Sequence, residues 1–288
     1  MPGTDKRFLE YVLPAIRYIR YICVGSVLMS PLSGWMSAGR QSPAVRLHRR
    51  VHNLSANTVF ASWRTSALLR VEIHVTPCIV TSPPHGHCDA LINPANERLQ
   101  GTQFTPGQCA RYLAPGTLLL YPPQVIDGLV HGARGDSCGD ASGAAALAKA
   151  IATLPEVEAG GVRCPTGRAV ALESTGELRE CYQHVIHTVA PFYDTDRWRE
   201  LLLSAYKAAF DTSDGIAGVV SVAVPLLGAG ARGAPIAAAA EVAAVATAKW
   251  HACGSLRLVN FAVQEEEAAW ALAEAFDEGK EVVRTHAG

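Results

Sequence analysis

Regular alternation between apolar and polar positions begins at Leu69 and continues almost to the end of the chain. Leu69–Val75 carries β-branched residues at Val71, Ile73 and Val75 and reads as a strand, and Ala90–Asn93 reads as a short buried one. Ser142–Thr153 has helical spacing, Ala169–Leu172 and His184–Val189 are strand-like, and Trp198–Asp211 is an amphipathic helix. Val219–Leu227 reads as a buried strand. Pro235 then stands at the expected first position of an alanine-rich helix that runs to Trp250. Leu256–Val263 is the last core strand and Glu265–Asp277 the closing helix, its acids in the first turn where the helix dipole favours them. Strand followed by helix, repeatedly, predicts an α/β fold with a central sheet covered on both faces.

Residues 1–68 have a different character. Lys6, Arg7, Arg17, Arg20, Arg40, Arg46, Arg49, Arg50 and Arg64 face only Asp5 and Glu10, and serines are frequent. An arginine-rich, acid-poor segment has the composition of a mitochondrial targeting peptide, although Asp5, Glu10 and Pro14 work against its amphipathic helix. The plain alternative is a basic extension on a cytoplasmic protein. The expected organisation is therefore an extension over 1–68 and one folded domain over 69–288.

Composition narrows the class further. The 288 residues are 49% hydrophobic and 18% charged, enough for a sizeable core. A net charge of −1 gives no global basis for sequence-specific nucleic-acid binding. The eight cysteines form no C-x-x-C pair and read as reduced thiols. The best apolar run, Tyr21–Met29, is too short to span a membrane.

Three segments carry the candidate chemistry: Asp89-Ala90-Leu91-Ile92-Asn93-Pro94-Ala95-Asn96, Val185-Ile186-His187-Thr188-Val189, and Leu227-Gly228-Ala229-Gly230-Ala231-Arg232-Gly233-Ala234-Pro235. Each is an apolar run that breaks into, or lies beside, small or amide-bearing residues. In α/β sheets ligands bind just beyond such strand ends. Asn93 and Asn96 can cap a turn or offer an amide to a ligand. The Gly228–Gly233 amides precede a helix and can cradle phosphate. Asp127, in Val125-Ile126-Asp127-Gly128-Leu129-Val130-His131, is either a helix-capping acid or a general base. Arg232 can pair with phosphate or point to solvent, Phe261 can stack on a base or fill the core, and His187 reads as a buried structural histidine.

In this order and spacing the segments resemble the macrodomain family, most closely its MacroD-type, O-acetyl-ADP-ribose deacetylase-like members. Arg163-Cys164-Pro165-Thr166-Gly167 also matches, and the resemblance runs from about Leu69 to Asp277. It implies a three-layer α/β/α fold with a central mixed sheet, and a hydrolase that binds ADP-ribose. Such an enzyme removes mono-ADP-ribose from acidic side chains of ADP-ribosylated proteins and can accept O-acetyl-ADP-ribose. By this resemblance Asn96 and Asp127 are catalytic. Asn93, Gly128, His131, Gly228, Ala229, Gly230, Ala231, Arg232, Gly233 and Phe261 bind the ligand. No metal or redox cofactor and no partner beyond the substrate are implied, and a monomer is expected.

The chain also departs from the family pattern. A segment of about twenty residues, Thr102 to Pro123, stands where the family has a short glycine run. Cys78-Ile79-Val80-Thr81 replaces a Gly-Asp-Ile-Thr, removing the acid that contacts adenine.

Rival readings fit less well. Gly228–Gly233 satisfies G-x-G-x-x-G, but the acid a dinucleotide site needs about twenty residues later is missing. Gly135-Asp136-Ser137-Cys138-Gly139 fits a serine-hydrolase elbow without the preceding strand. His85, His87 and Cys88 lack a second ligand pair at zinc spacing and read as a surface loop. The main alternative is a module that binds ADP-ribose without cleaving it.

Overall fold

Five strands lie parallel at the centre of a seven-stranded sheet, and their side chains divide between two apolar layers. The computed structural model describes residues 58–65, 69–102, 125–132 and 141–285. The strands are β1 (Thr58–Arg64), β2 (Arg70–Val75), β3 (Cys88–Pro94), β4 (Ala169–Glu173), β5 (Tyr182–Thr188), β6 (Ser221–Val224) and β7 (Leu258–Val263). Their order across the sheet is β1-β2-β7-β6-β3-β5-β4, with β1 and β4 antiparallel to their neighbours at the two edges. The helices are α1 (Ile126–Val130), α2 (Ala141–Ala152), α3 (Trp198–Asp214), α4 (Ile236–Lys249) and α5 (Glu266–Thr285).

A parallel strand covered on both faces must be apolar on both, and the alternation here sorts the residues between two clusters. Val71, Ile73, Ala90, Ile92, Ile186, Val222, Val224, Val259 and Phe261 pack with Leu202, Tyr206, Ala240 and Leu272 of α3, α4 and α5. On the other face Leu91, Val185, Ala223 and Ala262 meet Val130 of α1 and Leu147 and Ile151 of α2. The result is a three-layer α/β/α arrangement with a mixed sheet. Because β2, β3, β5, β6 and β7 run in one direction, their carboxyl ends share one edge, where the loops after β3 and β6 meet.

Four departures from the sequence expectation bear on the core and the site. β1 lies before Leu69: it pairs with β2 across a bulge, and Trp63 stacks on Phe276 at 5.2 Å while donating to Asp277 Oδ1 at 2.8 Å. The sheet therefore starts before the expected domain boundary at residue 69. β6 ends at Val224 because Pro225 has no N–H for the ladder, and the Leu227 N–H goes to the Tyr206 hydroxyl instead. Pro235 is the residue before the first turn of α4, not its first member. α5 extends past Asp277 to Thr285. The basic segment 1–57, all but the first residue of the inserted segment (103–123) and the serine-hydrolase-like Gly135–Gly139 lie outside the described residues. Among the described residues no helix is long and apolar enough to cross a membrane.

The turn into β7 is fixed by one carboxylate. Asp214 accepts N–H bonds from Leu256 (2.9 Å), Cys253 (2.8 Å) and Gly254 (2.6 Å). Burial alone would raise its pKa, but these donors and the Arg257 charge hold it below the ordinary carboxylate range. A Cβ at Gly254 would lie 2.2 Å from the Asp214 carbonyl oxygen. Gly254→Ala should therefore cost about 1–3 kcal/mol, read as a lower urea midpoint at unchanged m-value; an unchanged midpoint would mean this turn yields freely.

Candidate active site

Asn93 is the penultimate residue of β3, and strand parity turns its side chain toward α1, on the same face as Leu91. His187 is its register partner on β5, so the two side chains are neighbours on that face. Asn93 Nδ2 donates to Asp127 Oδ1 at 2.9 Å and lies 3.1 Å from His187 Nδ1. A single amide thus links β3, α1 and β5. With His187 Nδ1 as acceptor, the ring proton resides on Nε2. Asn93 and His187 are wholly enclosed, so Asn93 holds the site from behind and does not line a ligand surface.

Asp127 sits in the first turn of α1, after an extended Val125 that provides no side-chain cap. It is 4% exposed. Thr102 Oγ1 donates to its Oδ2 at 3.3 Å, and His131 Nε2, one helical turn on, stands 3.6 Å from Oδ1. Burial pushes the Asp127 carboxyl above its ordinary value; the His131 charge, the bonds from Asn93 and Thr102, and the Arg232 charge pull the other way without cancelling it. Burial, then the Asp127 charge in opposition, leaves His131 below its ordinary value. Burial and the His131 charge push His187 down to about 3, so it is neutral. Asn93 Oδ1, His131 Nε2 and His187 Nε2 are buried without a hydrogen-bond partner. Ligand atoms of Asp127, His131 and His187 lie within 4.8 Å of one another, near enough to share a cation or a polar ligand atom.

Asn96 is spent on its own loop. Its Oδ1 accepts from the Arg98 and Gln100 amides (3.2 and 3.3 Å), and its Nδ2 donates to the Gly101 carbonyl at 2.9 Å. Gly101 has φ +70°, and a Cβ there would come within 2.7 Å of the His131 ring, so glycine is required for the close approach. The Arg163–Gly167 turn braces the loop from outside: Arg163 and Cys164 donate to the Glu97 carbonyl, and Thr166 Oγ1 to Glu97 Oε1 at 2.8 Å.

The second loop faces the first. Gly228 is buried at φ +88°, with Leu202 directly behind it, and its carbonyl accepts the Ala234 N–H at 3.0 Å. Ala229 is half-buried and Gly230, Ala231 and Gly233 are exposed, so a small-residue rim lies open before α4. Arg232 crosses the gap. It donates to the Ala95 carbonyl at 3.2 Å and lies 4.2 Å over the Phe192 ring, clasping the two loops together. Neither of the roles expected for it, phosphate partner or solvent-facing residue, describes this contact.

Two further expectations are corrected. Phe261 offers no stacking surface: it is fully enclosed between Tyr206 and Phe276, with ring centroids 6.2 and 5.7 Å away, because strand parity turns it toward α3 and α5. His85 does not belong to a plain surface loop, since its Nε2 meets the buried Glu72 Oε2 at 2.7 Å. Asn93, Gly128, Asp127 and His131 converge, and Arg232 approaches them from the second loop. Sequence reasoning missed Thr102 and Phe192; both lie in segments whose partners are far away along the chain, and no local pattern marks them.

The family model for the Macro domain matches residues 128–243. A macro domain-containing protein of Xanthomonas campestris pv. campestris is 30% identical over 164 residues, 56% of this chain and 72% of that one. Another, of Caldanaerobacter subterraneus subsp. tengcongensis, is 29% identical over 155 residues, 53% of this chain and 79% of that one. Among solved structures, a glycine-to-valine mutant of the Oceanobacillus iheyensis macrodomain with ADPR superposes with a TM-score of 0.55 at 22% identity. It covers 77% of this chain and 100% of its own. The same macrodomain with MES bound gives 0.55, 22%, 77% and 98%. Fold and sequence thus agree, and the chain belongs to the macro domain family.

Proposed function

We propose that the cleft between the loops after β3 and β6 binds ADP-ribose and that the protein hydrolyses mono-ADP-ribose esters on acidic side chains, with O-acetyl-ADP-ribose as a second ester substrate. The observation that carries this reading is the Asp127 carboxylate: fixed by Asn93 and Thr102, desolvated, raised in pKa, and near Arg232 of the small-residue loop after β6. A macrodomain solved with ADPR has the same fold. Amides of Ala229–Arg232 in the loop before α4 suit a diphosphate, which needs donors and no lysine. Ester cleavage at the distal ribose needs an oriented water and a base close to neutrality, and a raised aspartate meets that need better than an ordinary one. A non-cleaving reader is favoured by one feature, the 4% exposure of Asp127, which leaves little room for water in this conformation.

The deciding experiment is release of ADP-ribose from a glutamate-modified protein. Asp127→Ala should lose about 10²–10⁴-fold in release while keeping ADP-ribose affinity within a few-fold. Equal release would remove Asp127 from the mechanism, and binding without release by the unaltered protein would make it a reader.

Gly230 has no positive φ, and a Cβ there meets nothing within 4 Å, so Gly230→Glu leaves the fold undisturbed and sets a carboxylate at the rim. Calorimetry should find ADP-ribose binding lost; unaltered affinity would put the ligand elsewhere.

Because burial raises Asp127, release should rise with pH through a midpoint above the ordinary 3.8. Linkage sets the matching sign for stability. A carboxyl whose folded pKa is raised contributes stability below its unfolded pKa, and that contribution is lost as pH rises through the folded value. Asp127→Asn should therefore melt higher than the natural protein at pH 7, and the gain should vanish as pH falls to 3.8. A lower melting point for Asp127→Asn at pH 7 would contradict the raised carboxyl.

A further inference from the structure

A second polar cluster lies on β2, away from the cleft. Val71 and Ile73 point into the layer of α3, α4 and α5, so Glu72 and His74 point to the opposite face, where the segment 77–87 crosses over them. Glu72 and His74 are enclosed, and on the neighbouring β7 Asn260 is Glu72's register partner. Four donor atoms converge there. Glu72 Oε2 lies 2.7 Å from His85 Nε2 and 3.1 Å from His74 Nε2, and His74 Nε2 lies 3.2 Å from Asn260 Oδ1. Glu72 Oε1 turns away to Arg70 at 2.5 Å, and Asn260 Nδ2 is directed to the Val222 carbonyl and Cys88 Sγ. His74 Nδ1 has no partner, so its ring is positioned through Nε2 alone.

His85 reaches this point by an uncommon backbone. Its φ is +56° and ψ +14°, left-handed for a residue with a side chain, and the two rings meet edge to face at 4.8 Å. Such a conformation persists where surrounding contacts over-determine it. We propose that Glu72, His74 and His85 form a binding site for one divalent transition ion of the zinc class, with Asn260 Oδ1 as a fourth oxygen donor.

Two imidazoles and a carboxylate are the donor set such an ion prefers. Ligands at ~2.0–2.1 Å from a tetrahedral centre stand about 3.3 Å apart, close to the separations here, so small shifts admit the ion. Two ligands are fixed on a central strand, and the third is half exposed on a loop, which provides an entry path. The bound ion would pin the segment 77–87, whose Val80 and Thr81 line a pocket, separate from the cleft, together with Leu129 and Val130 of α1, the helix that bears Asp127.

The test uses the full chain, stripped with chelator, dialysed and titrated with Co²⁺ and then Zn²⁺. One equivalent of Co²⁺ should give the visible bands of a four- or five-coordinate site, and Zn²⁺ should bleach them and raise the melting temperature. His85→Ala should weaken binding by more than the roughly 10–100-fold that outer-shell losses cost, while His131→Ala should bind as the natural protein does. Absence of bands and of a melting shift would overturn the proposal. So would binding that survives His85→Ala but not His131→Ala, which would assign the ion to Asp127, His131 and His187.

Discussion

The side-chain amide of Asn93 is the contact on which the site depends. It is enclosed at the end of a parallel strand and serves Asp127 and His187 together, so α1 cannot move without disturbing β3 and β5. A hydrogen bond to a charged group typically contributes about 1.5–3 kcal/mol, and a buried carboxylate without its donor has no water to replace it. Such a bond helps keep a carboxylate in a desolvated setting. His131, Asn93, Thr102 and the nearby Arg232 offset the desolvation of Asp127 in part, and the part left over is what raises its pKa.

From this anchor the remaining geometry follows outward. His131, at the end of the same short helix, is locked by the close approach of Gly101, and Gly101 is in turn held by Asn96. Asn96 therefore shapes the loop that frames Asp127, whatever further contact it makes with a ligand. Arg232 ties the far rim to Ala95 while resting on Phe192, and the two loops behave as one frame. The rim residues Gly230, Ala231 and Gly233 are small and exposed, and they are the part of the site left open.

Much of this was legible in the chain, and the reasons for the exceptions are specific. Buried parallel strands write themselves as apolar runs, so β3, β5, β6 and β7 were found by pattern. β1 was not, because an edge strand is half exposed and Thr58–Arg64 lies inside a basic, serine-bearing stretch. Asn93 and Asp127 were recognised from the order of segments, but the bond between them was not, since it spans 34 positions and depends on strand parity. The same parity buries Phe261, where an aromatic near a strand end reads equally as core or as stacking surface. His85 was read with its neighbours His87 and Cys88, whereas its real partners are Glu72 and His74 on β2.

The most direct test of this account is a crystal structure of the full chain with ADP-ribose. The account predicts the diphosphate over the Ala229–Arg232 amides and the distal ribose beside Asn96 and Asp127, with Asn93 still bonded to the Asp127 carboxylate. A ligand seated elsewhere, or a distal ribose remote from Asp127, would contradict it.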